Sequence, residues 1–110
     1  INMYPEDLYA IEITNDFIKV THPQENDKTV LWDNITEIHI QTTDEGPYRP
    51  DVWLVLIGID TYCRIPQGNK SYDVIYDRVS KWDGFDFEVY IESMSSTENA
   101  VFMVWKVDLN

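Results

Sequence analysis

The sequence predicts an α+β domain: a mostly antiparallel sheet of about six to seven strands, with two short helices between the penultimate and last strands. Three observations support this fold class. Apolar residues alternate over about the first sixty residues, recur at helical spacing between residues 72 and 94, and form a continuous run at residues 100–105. The chain has 110 residues, enough to bury one core but not two, so we expect a single domain over residues 1–110.

Alternating residues and turn signals predict three strands in the first third of the chain. The first strand has two possible inward faces, either Leu8 and Ala10 or Tyr9, Ile11 and Ile13. The polar pair Asn15 and Asp16 predicts a hairpin turn into a second strand at residues 17–20. Residues 22–28 are polar and contain a proline, so we expect a longer break before the short apolar run at residues 29–32.

The middle of the chain predicts three more strands around one irregular loop. Residues 35–40 alternate, with Ile38 and Ile40 on one face, as is typical of a half-buried strand. Residues 42–51 contain two prolines and a glycine, which predict a loop without regular structure. Residues 52–57 are apolar on both faces, so we expect a central strand that is covered on each side. Another strand, at residues 61–65, ends at the turn signal of residues 66–69.

A change of periodicity predicts the first helix after residue 70. Its apolar residues share one helical face: Tyr72, Ile75, Tyr76, Val79 and Trp82. Ser71 is a suitable N-cap, because its hydroxyl could accept a hydrogen bond from the first turn. Gly84 is well placed to end the helix.

The second helix is predicted to begin at once, with Asp86 as its N-cap and Phe85 and Tyr90 in the positions of a hydrophobic staple. Its expected apolar face consists of Phe87, Tyr90, Ile91 and Met94. Residues 95–97 should end it. The following run, residues 100–105, is entirely apolar and would aggregate at an exposed sheet edge, so we expect this last strand inside the sheet.

The charge of the chain excludes several classes of function. It has 20 Asp and Glu against 8 Lys and Arg, a net charge of -12, yet 14% of its residues are aromatic. Disordered acidic tails are poor in aromatics, so this composition indicates a folded domain with a negative surface. Such a surface repels nucleic acid and anionic membranes and attracts a basic protein. Trp53 and Trp105 lie in apolar runs and are expected in the core, rather than as platforms for stacking bases.

Two further sequence features indicate where the protein acts. No apolar run is long enough to cross a membrane, and residues 1–7 lack the basic and apolar regions of a secretory signal. A single cysteine excludes an intrachain disulfide and suits a reducing compartment. We therefore expect a cytoplasmic protein.

The sequence contains no recognisable catalytic or metal-binding motif. His22 and His39 have no second ligand at the spacing that metal sites need, and no glycine-rich phosphate loop is present. Cys63 lies in a predicted strand, where a lone cysteine usually packs as a small hydrophobe. A nucleophile pair of Cys63 with His39 lacks any local signature. We therefore expect no catalytic residue, no metal, no cofactor and no enzymatic activity.

Several motifs carry a resemblance that covers residues 11–106. They are residues 31–35 (LWDNI), 42–47 (TTDEGP), 51–53 (DVW), 65–68 (IPQG), 84–86 (GFD) and 94–100 (MSSTENA). In these motifs the chain resembles a group of small stand-alone acidic bacterial proteins with no assigned enzyme activity. In size and acidity it also resembles the immunity proteins of contact-dependent growth inhibition and related toxin systems. That second resemblance implies inhibition of a toxin, and it identifies no binding residues.

The acidic surface independently favours the same function. Nuclease toxins act on polyanions and have basic clefts, and a strongly negative inhibitor would find such a cleft quickly. Acids beside an aromatic ring are suited to filling it, because the ring supplies apolar area while the carboxylates pair with Lys and Arg. The candidate partner-binding residues are Asp44, Glu45, Tyr48 and Asp51 in the loop, and Asp83, Asp86, Glu88 and Glu92 around the second helix.

Three alternatives stay open from the sequence. The acids could form a solvated face that only maintains solubility. The order of strands and helix is also compatible with a regulatory or scaffold module of pleckstrin-homology-like type, whose ligand would not be a phosphoinositide because basic residues are few. A hydrolase using His39 and a carboxylate is the least supported alternative.

Overall fold

Antiparallel strands form two sheets in the computed structural model, which describes residues 4–46 and 48–108. The strands are β1 (Ala10–Ile13), β2 (Phe17–His22), β3 (Glu25–Leu31), β4 (Glu37–Thr42), β5 (Val52–Ile57), β6 (Tyr62–Pro66) and β7 (Ala100–Lys106). Sheet A has the order β1-β2-β3, and sheet B has the order β6-β5-β4-β7. The α+β class and the number of strands are confirmed, but the expectation of one sheet is wrong.

The helices lie where the sequence places them, between the last two strands. They are α1 (Lys70–Val79) and α2 (Phe87–Met94), and short 3-10 turns occur at Pro5–Leu8 and Trp32–Asn34. Pro47 of the loop and residues 1–3 of the N-terminus, on which the sequence analysis also drew, lie outside the described residues.

The β1–β2 hairpin forms as predicted around Asn15 and Asp16. Ile13 pairs with Ile18, and the hydroxyl of Thr14 accepts hydrogen bonds from the backbone N–H groups of Asp16 and Phe17, at 3.1 and 3.0 Å. Of the two possible inward faces, the structure uses the second: Tyr9, Ile11 and Ile13 are half-buried and pack against the core.

The polar break predicted at residues 22–28 is mostly strand. Only Pro23 and Gln24 form a turn, and β3 begins at Glu25. All residues of β3 except Val30 are exposed. Since β3 is an edge strand of sheet A, its polar side chains stay in water while its backbone pairs with β2, which explains why the hydrophobic pattern did not reveal it.

One face of sheet B forms the floor of the core. Ile38 and Ile40 of β4 lie opposite Leu56 and Leu54 of β5, and all four side chains are fully buried. They pack in one cluster with Ile18 and Val30 of sheet A and Ile75 and Val79 of α1. Each such side chain stabilises the fold by about 1.5–3 kcal/mol. The predicted half-buried strand and central strand are therefore both present.

The outer face of β5 is covered by side chains alone. Trp53 and Val55 point away from the core yet are buried. The guanidinium of Arg64 lies 3.9 Å above the Trp53 ring, and the ring of Tyr9 meets that ring edge-on at 5.3 Å. The apolar run of β5 thus reflects burial on both faces, as predicted, and Arg64 and Tyr9 contribute to the cover on the outer one.

Asn69, not Ser71, caps α1, so the predicted cap is wrong by two residues. The side-chain oxygen of Asn69 accepts a hydrogen bond from the Ser71 backbone N–H at 2.9 Å. Its amide nitrogen donates to the carbonyls of Glu6 and Tyr9, at 2.9 and 2.8 Å. The amide of Asn69 has separate donor and acceptor atoms and therefore bonds to two carbonyls and one N–H. A serine has one oxygen with a single proton to donate and could not serve both carbonyls. The predicted apolar face of α1 is confirmed by the burial of its residues.

The connection between the helices differs from the prediction at Gly84. Helix α1 already ends at Val79, and Gly84, at φ 90°, takes the left-handed conformation that turns the chain into α2. Asp86 caps α2 as predicted, because its carboxylate accepts a hydrogen bond from the Val89 N–H at 3.0 Å. Phe85 and Tyr90 are also in ring contact, with centroids 6.1 Å apart, as expected of a staple.

The predicted apolar face of α2 is wrong. Phe87, Ile91 and Met94 are exposed, and only Tyr90 of the predicted set turns inward. The Tyr90 hydroxyl lies 2.9 Å from that of Tyr72, and its ring stacks on Tyr76 at 4.6 Å. These contacts with α1 fix the rotation of α2, so that the small, fully buried Ser93 faces the sheet.

Strand β7 lies at the edge of sheet B, so its predicted place inside the sheet is also wrong. It pairs with β4 alone, and Val101 and Met103 are exposed. Two features protect this edge. The register shifts between Met103 and Trp105, and the Asp86 N–H donates to the Val104 carbonyl at 2.7 Å, so the chain before α2 covers part of the strand.

We predict that Asn69→Ala destabilises the fold by about 3 kcal/mol, because it removes a helix cap and leaves two backbone carbonyls without their donors. Asp86→Ala is the matched control: this cap is exposed and makes one such bond, so its loss should cost about 1 kcal/mol. Urea denaturation measures both changes. Equal losses for the two variants would contradict the role of Asn69 in tying α1 to the start of the chain.

Candidate functional site

The candidate catalytic groups are separated by the fold. Cys63 pairs with Leu56 on the inner face of sheet B, whereas His39 pairs with Val55 and lies on the outer face. The sheet therefore prevents them from forming a nucleophile pair. Burial also raises the pKa of the Cys63 thiol to about 12, which keeps it protonated and unreactive at neutral pH.

Each histidine has a local carboxylate partner. His39 Nε2 lies 2.7 Å from Glu37 Oε1, and His22 Nδ1 lies 3.6 Å from Glu25 Oε2. Within residues 4–46 and 48–108, no group of three or more His, Cys, Asp or Glu side chains is arranged to hold a metal ion. These histidines therefore have roles in local pairing that the geometry accounts for.

The carboxylates lie at the surface. All 20 Asp and Glu residues fall within the described part of the chain, and none of them is buried. The candidate acids form no ion pair with another described residue. Such carboxylates keep their full charge toward solvent and remain free to pair with an incoming cation.

The loop between β4 and β5 presents its candidate residues to solvent. Asp44, Glu45, Tyr48 and Asp51 are all exposed, with Tyr48 at 86%. The Thr43 N–H donates to the Asp51 carbonyl at 2.8 Å and closes the loop. A Cβ atom at Gly46 would lie 2.9 Å from an Asp51 carboxylate oxygen, so the loop packs closely over the Asp51 side chain, which would have to move if Gly46 were replaced.

Three of the sequence motifs meet beside this loop, at one end of sheet B. The Thr42 hydroxyl donates to the Glu98 carbonyl at 2.7 Å and lies 3.0 Å from the Ser96 hydroxyl. The Asp44 N–H donates to the Asn99 side chain at 3.2 Å. In the third motif, Gln67 contacts the sulfur of Met94 at 3.6 Å. The TTDEGP, IPQG and MSSTENA segments thus form one surface, although they are far apart in the chain.

A shallow hollow lies on this surface. It has a volume of about 270 Å³ and is lined by Thr43, Asp44, Gly46, Asp51 and Thr97. Asp44 and Asp51 thus share one concave site, whereas Glu45 lines a different hollow together with Arg49. Only part of the predicted loop set is therefore brought together.

The second candidate set lies along α2. Asp83, Asp86, Glu88 and Glu92 are exposed, although Asp86 also serves as the helix cap. The helix begins beside Val104 and ends beside Thr42, so it extends about 12 Å from one end of sheet B toward the other. Glu88 and Glu92 therefore connect Asp83 to the acidic loop. We call the exposed acids Asp44, Asp51, Asp83, Glu88, Glu92 and Glu98 the acidic strip.

The sequence analysis missed the apolar part of this surface. Phe87, Ile91 and Met94, here called the α2 ridge, are spaced as one helical face, and Glu88 and Glu92 lie on the face next to it. Phe87 is 51% exposed and Ile91 70%. Their spacing was recognised but assigned to the core. One local signal indicated that this apolar face points outward. Ser93, on another side of α2, is small and fully buried, and it allows the helix to approach the sheet closely.

No helix in the described part of the chain is long and apolar enough to cross a membrane. Comparison with protein-family models, curated proteins and solved structures finds no match to this chain.

We predict that Cys63 of the native protein resists iodoacetamide at about pH 8, because only a thiolate reacts and burial keeps the thiol protonated. The rate of alkylation, followed by mass spectrometry, should rise sharply in denaturant. A free thiol in a short peptide with the flanking sequence provides the reference rate. Equally fast reaction of the native protein and the peptide would show that Cys63 is accessible.

Proposed function

We propose that this protein is an immunity protein, which binds a basic bacterial toxin domain of the nuclease type and neutralises it by covering its active site. One observation carries the proposal. Residues 82–105 contain five acids and no Lys, Arg or His, and on α2 the exposed Glu88 and Glu92 lie beside the exposed α2 ridge. A surface of this kind complements a basic cleft with an apolar floor.

The charge supports fast recognition. A nuclease cleft is positive because its substrate is a polyanion, and an inhibitor must reach it before the substrate does. A net charge of -12 raises the rate of encounter with such a cleft, to about 10⁸ M⁻¹s⁻¹ or more at low salt. The same charge disfavours binding to nucleic acid itself, so the inhibitor would not compete for the substrate.

The α2 ridge supports affinity. Binding energy at protein interfaces is concentrated in a few apolar or aromatic side chains that become fully desolvated, surrounded by polar groups that exclude water. Phe87, Ile91 and Met94 are suited to the first role, and Glu88 and Glu92 to the second. In this proposal the ridge enters the toxin cleft while the carboxylates pair with its Lys and Arg side chains.

If the gene immediately upstream encodes a large exported protein, its C-terminal domain is the toxin candidate to test. We predict that Ile91→Ser weakens its binding by about 2 kcal/mol, because it removes an apolar anchor. Val74→Ser is the matched control, since Val74 is also an exposed apolar residue on a helix but lies on α1. Surface plasmon resonance measures both variants. Equal effects would contradict the assignment of the ridge.

Substitution of acids should likewise distinguish the acidic strip from exposed acids elsewhere on the protein. We predict that Asp44→Ala and Glu92→Ala speed dissociation and cost about 2–5 kcal/mol where the pair is well desolvated. Glu12→Ala and Asp60→Ala, which remove exposed acids elsewhere, should only slow association slightly, and less so at high salt. If all four variants behave alike, the charge acts only in steering. If the upstream domain does not bind at all, the immunity proposal fails and a regulatory binding module is favoured.

A further inference from the structure

A groove lies between sheet A and strands β5 and β6 of sheet B, with the loop between β4 and β5 at one end. Two adjoining hollows, of about 70 and 310 Å³, share Tyr9, His22, Glu25 and Arg64 in their walls and so form one groove. Trp53 and Arg49 complete the larger hollow. Its size is near the lower end of that of small-ligand sites.

Cations are concentrated in this groove. Of the 8 Lys and Arg in the chain, Lys28, Arg49 and Arg64 line it. None of the three forms an ion pair among the described residues, although the chain has 20 acids, whereas Lys19 and Lys81 are each paired with an aspartate. Arg49 and Arg64 line the larger hollow, whereas Lys28, whose ammonium lies 5.3 Å from the centroid of the Tyr62 ring, lines only the smaller one. Cations without an ion pair in a concave site are suited to binding an anion.

Arg64 is held in place before any ligand arrives. Its guanidinium stacks on the Trp53 ring at 3.9 Å, and Nη1 donates to the Gln41 side chain at 3.3 Å. Most of its five N–H donors remain available, in the planar arrangement that matches a carboxylate. The rings of Tyr9 and Trp53 meet at 5.3 Å and provide an apolar wall beside this donor group.

The charge balance of the groove selects the kind of anion. Glu25 and Glu45 also line the larger hollow, where they offset the charges of Arg49 and Arg64, and Lys28 in the smaller hollow adds one positive charge. Glu25 is partly engaged, because the Tyr9 hydroxyl donates to it at 3.1 Å. A monoanion is therefore favoured over a phosphate dianion, which would add a second negative charge beside two carboxylates on a strongly negative protein.

We propose that this groove binds a small monocarboxylate whose body is apolar or aromatic, with the carboxylate on Arg64 and Arg49 and the body against Trp53 and Tyr9. Arg64, Trp53 and Tyr9 lie outside both the acidic strip and the loop that carries Asp44 and Asp51, so substitution of Arg64 tests this proposal separately from toxin binding. The carboxylate could be that of a free small molecule or of a peptide C-terminus, and the chemistry recognised is the same in both cases.

The test is titration of the ¹⁵N-labelled protein with N-acetylphenylalanine, followed by NMR. The Trp53 indole and Arg64 Nε signals should shift, with a Kd on the order of 1 mM. The amide of the same compound, which lacks the carboxylate, should bind at least about tenfold more weakly, and so should inorganic phosphate. A short peptide ending in phenylalanine is titrated in the same way. Tighter binding of the peptide indicates a peptide C-terminus as the natural ligand, and tighter binding of the free compound indicates a small molecule.

The variants give the decisive comparison. Arg64→Gln and Arg64→Lys should each weaken binding at least about tenfold, because neither supplies the planar pair of donors. Arg78→Gln is the matched control: Arg78 stacks on Trp32 at 3.8 Å in the same way but does not line the groove, so binding should be unchanged. If the Arg64→Gln protein does not fold, the Arg49→Gln variant takes its place in the test, because Arg49 is exposed and its substitution should not affect folding. Absence of shifts, equal binding of the amide, or equal loss in Arg78→Gln would overturn the proposal.

Discussion

The structure depends on the separation of charge from core. A chain with 20 acids and a net charge of -12 repels itself, so its folded state must bury one well-filled apolar cluster and leave every carboxylate at the surface. The inner face of sheet B provides that cluster, with Ile38, Ile40, Leu54 and Leu56 fully buried against sheet A and α1. The same arrangement leaves the outer face, the loop and α2 free for recognition.

Much of the fold could be predicted because burial on one side imposes a period on the sequence. The β1–β2 hairpin, β5 and the face of α1 all follow from that rule. The orientation of α2 and the position of β7 could not be predicted by that rule. Their apolar residues point in several directions, and only long-range contacts decide which are buried. The Tyr90–Tyr72 hydroxyl contact fixes α2, and the backbone bond from Asp86 to Val104 protects β7 at the edge.

The candidate site was predictable in composition but not in shape. Exposed acids could be identified from the sequence, yet the continuity of the acidic strip depends on contacts such as Thr42 with Ser96, which are 54 residues apart. The groove that contains Arg64 was not predicted from the sequence, because Tyr9, Arg49 and Arg64 come from three separate segments. Both sites follow from the strand order of sheet B: α2 contacts β7 and β4, whereas the groove lies beside β6 and β5.

The central claim is that the acidic strip serves a partner and not the fold. Asp44, Glu92 and Glu98 are exposed and form no ion pair with another described residue. The most direct measurement is the free energy of unfolding, at low salt, of the triple variant Asp44→Asn, Glu92→Gln, Glu98→Gln. Relief of self-repulsion predicts that it rises, and that the gain shrinks as salt screens the charges. A lower free energy of unfolding would contradict the claim, because these carboxylates would then stabilise the fold themselves.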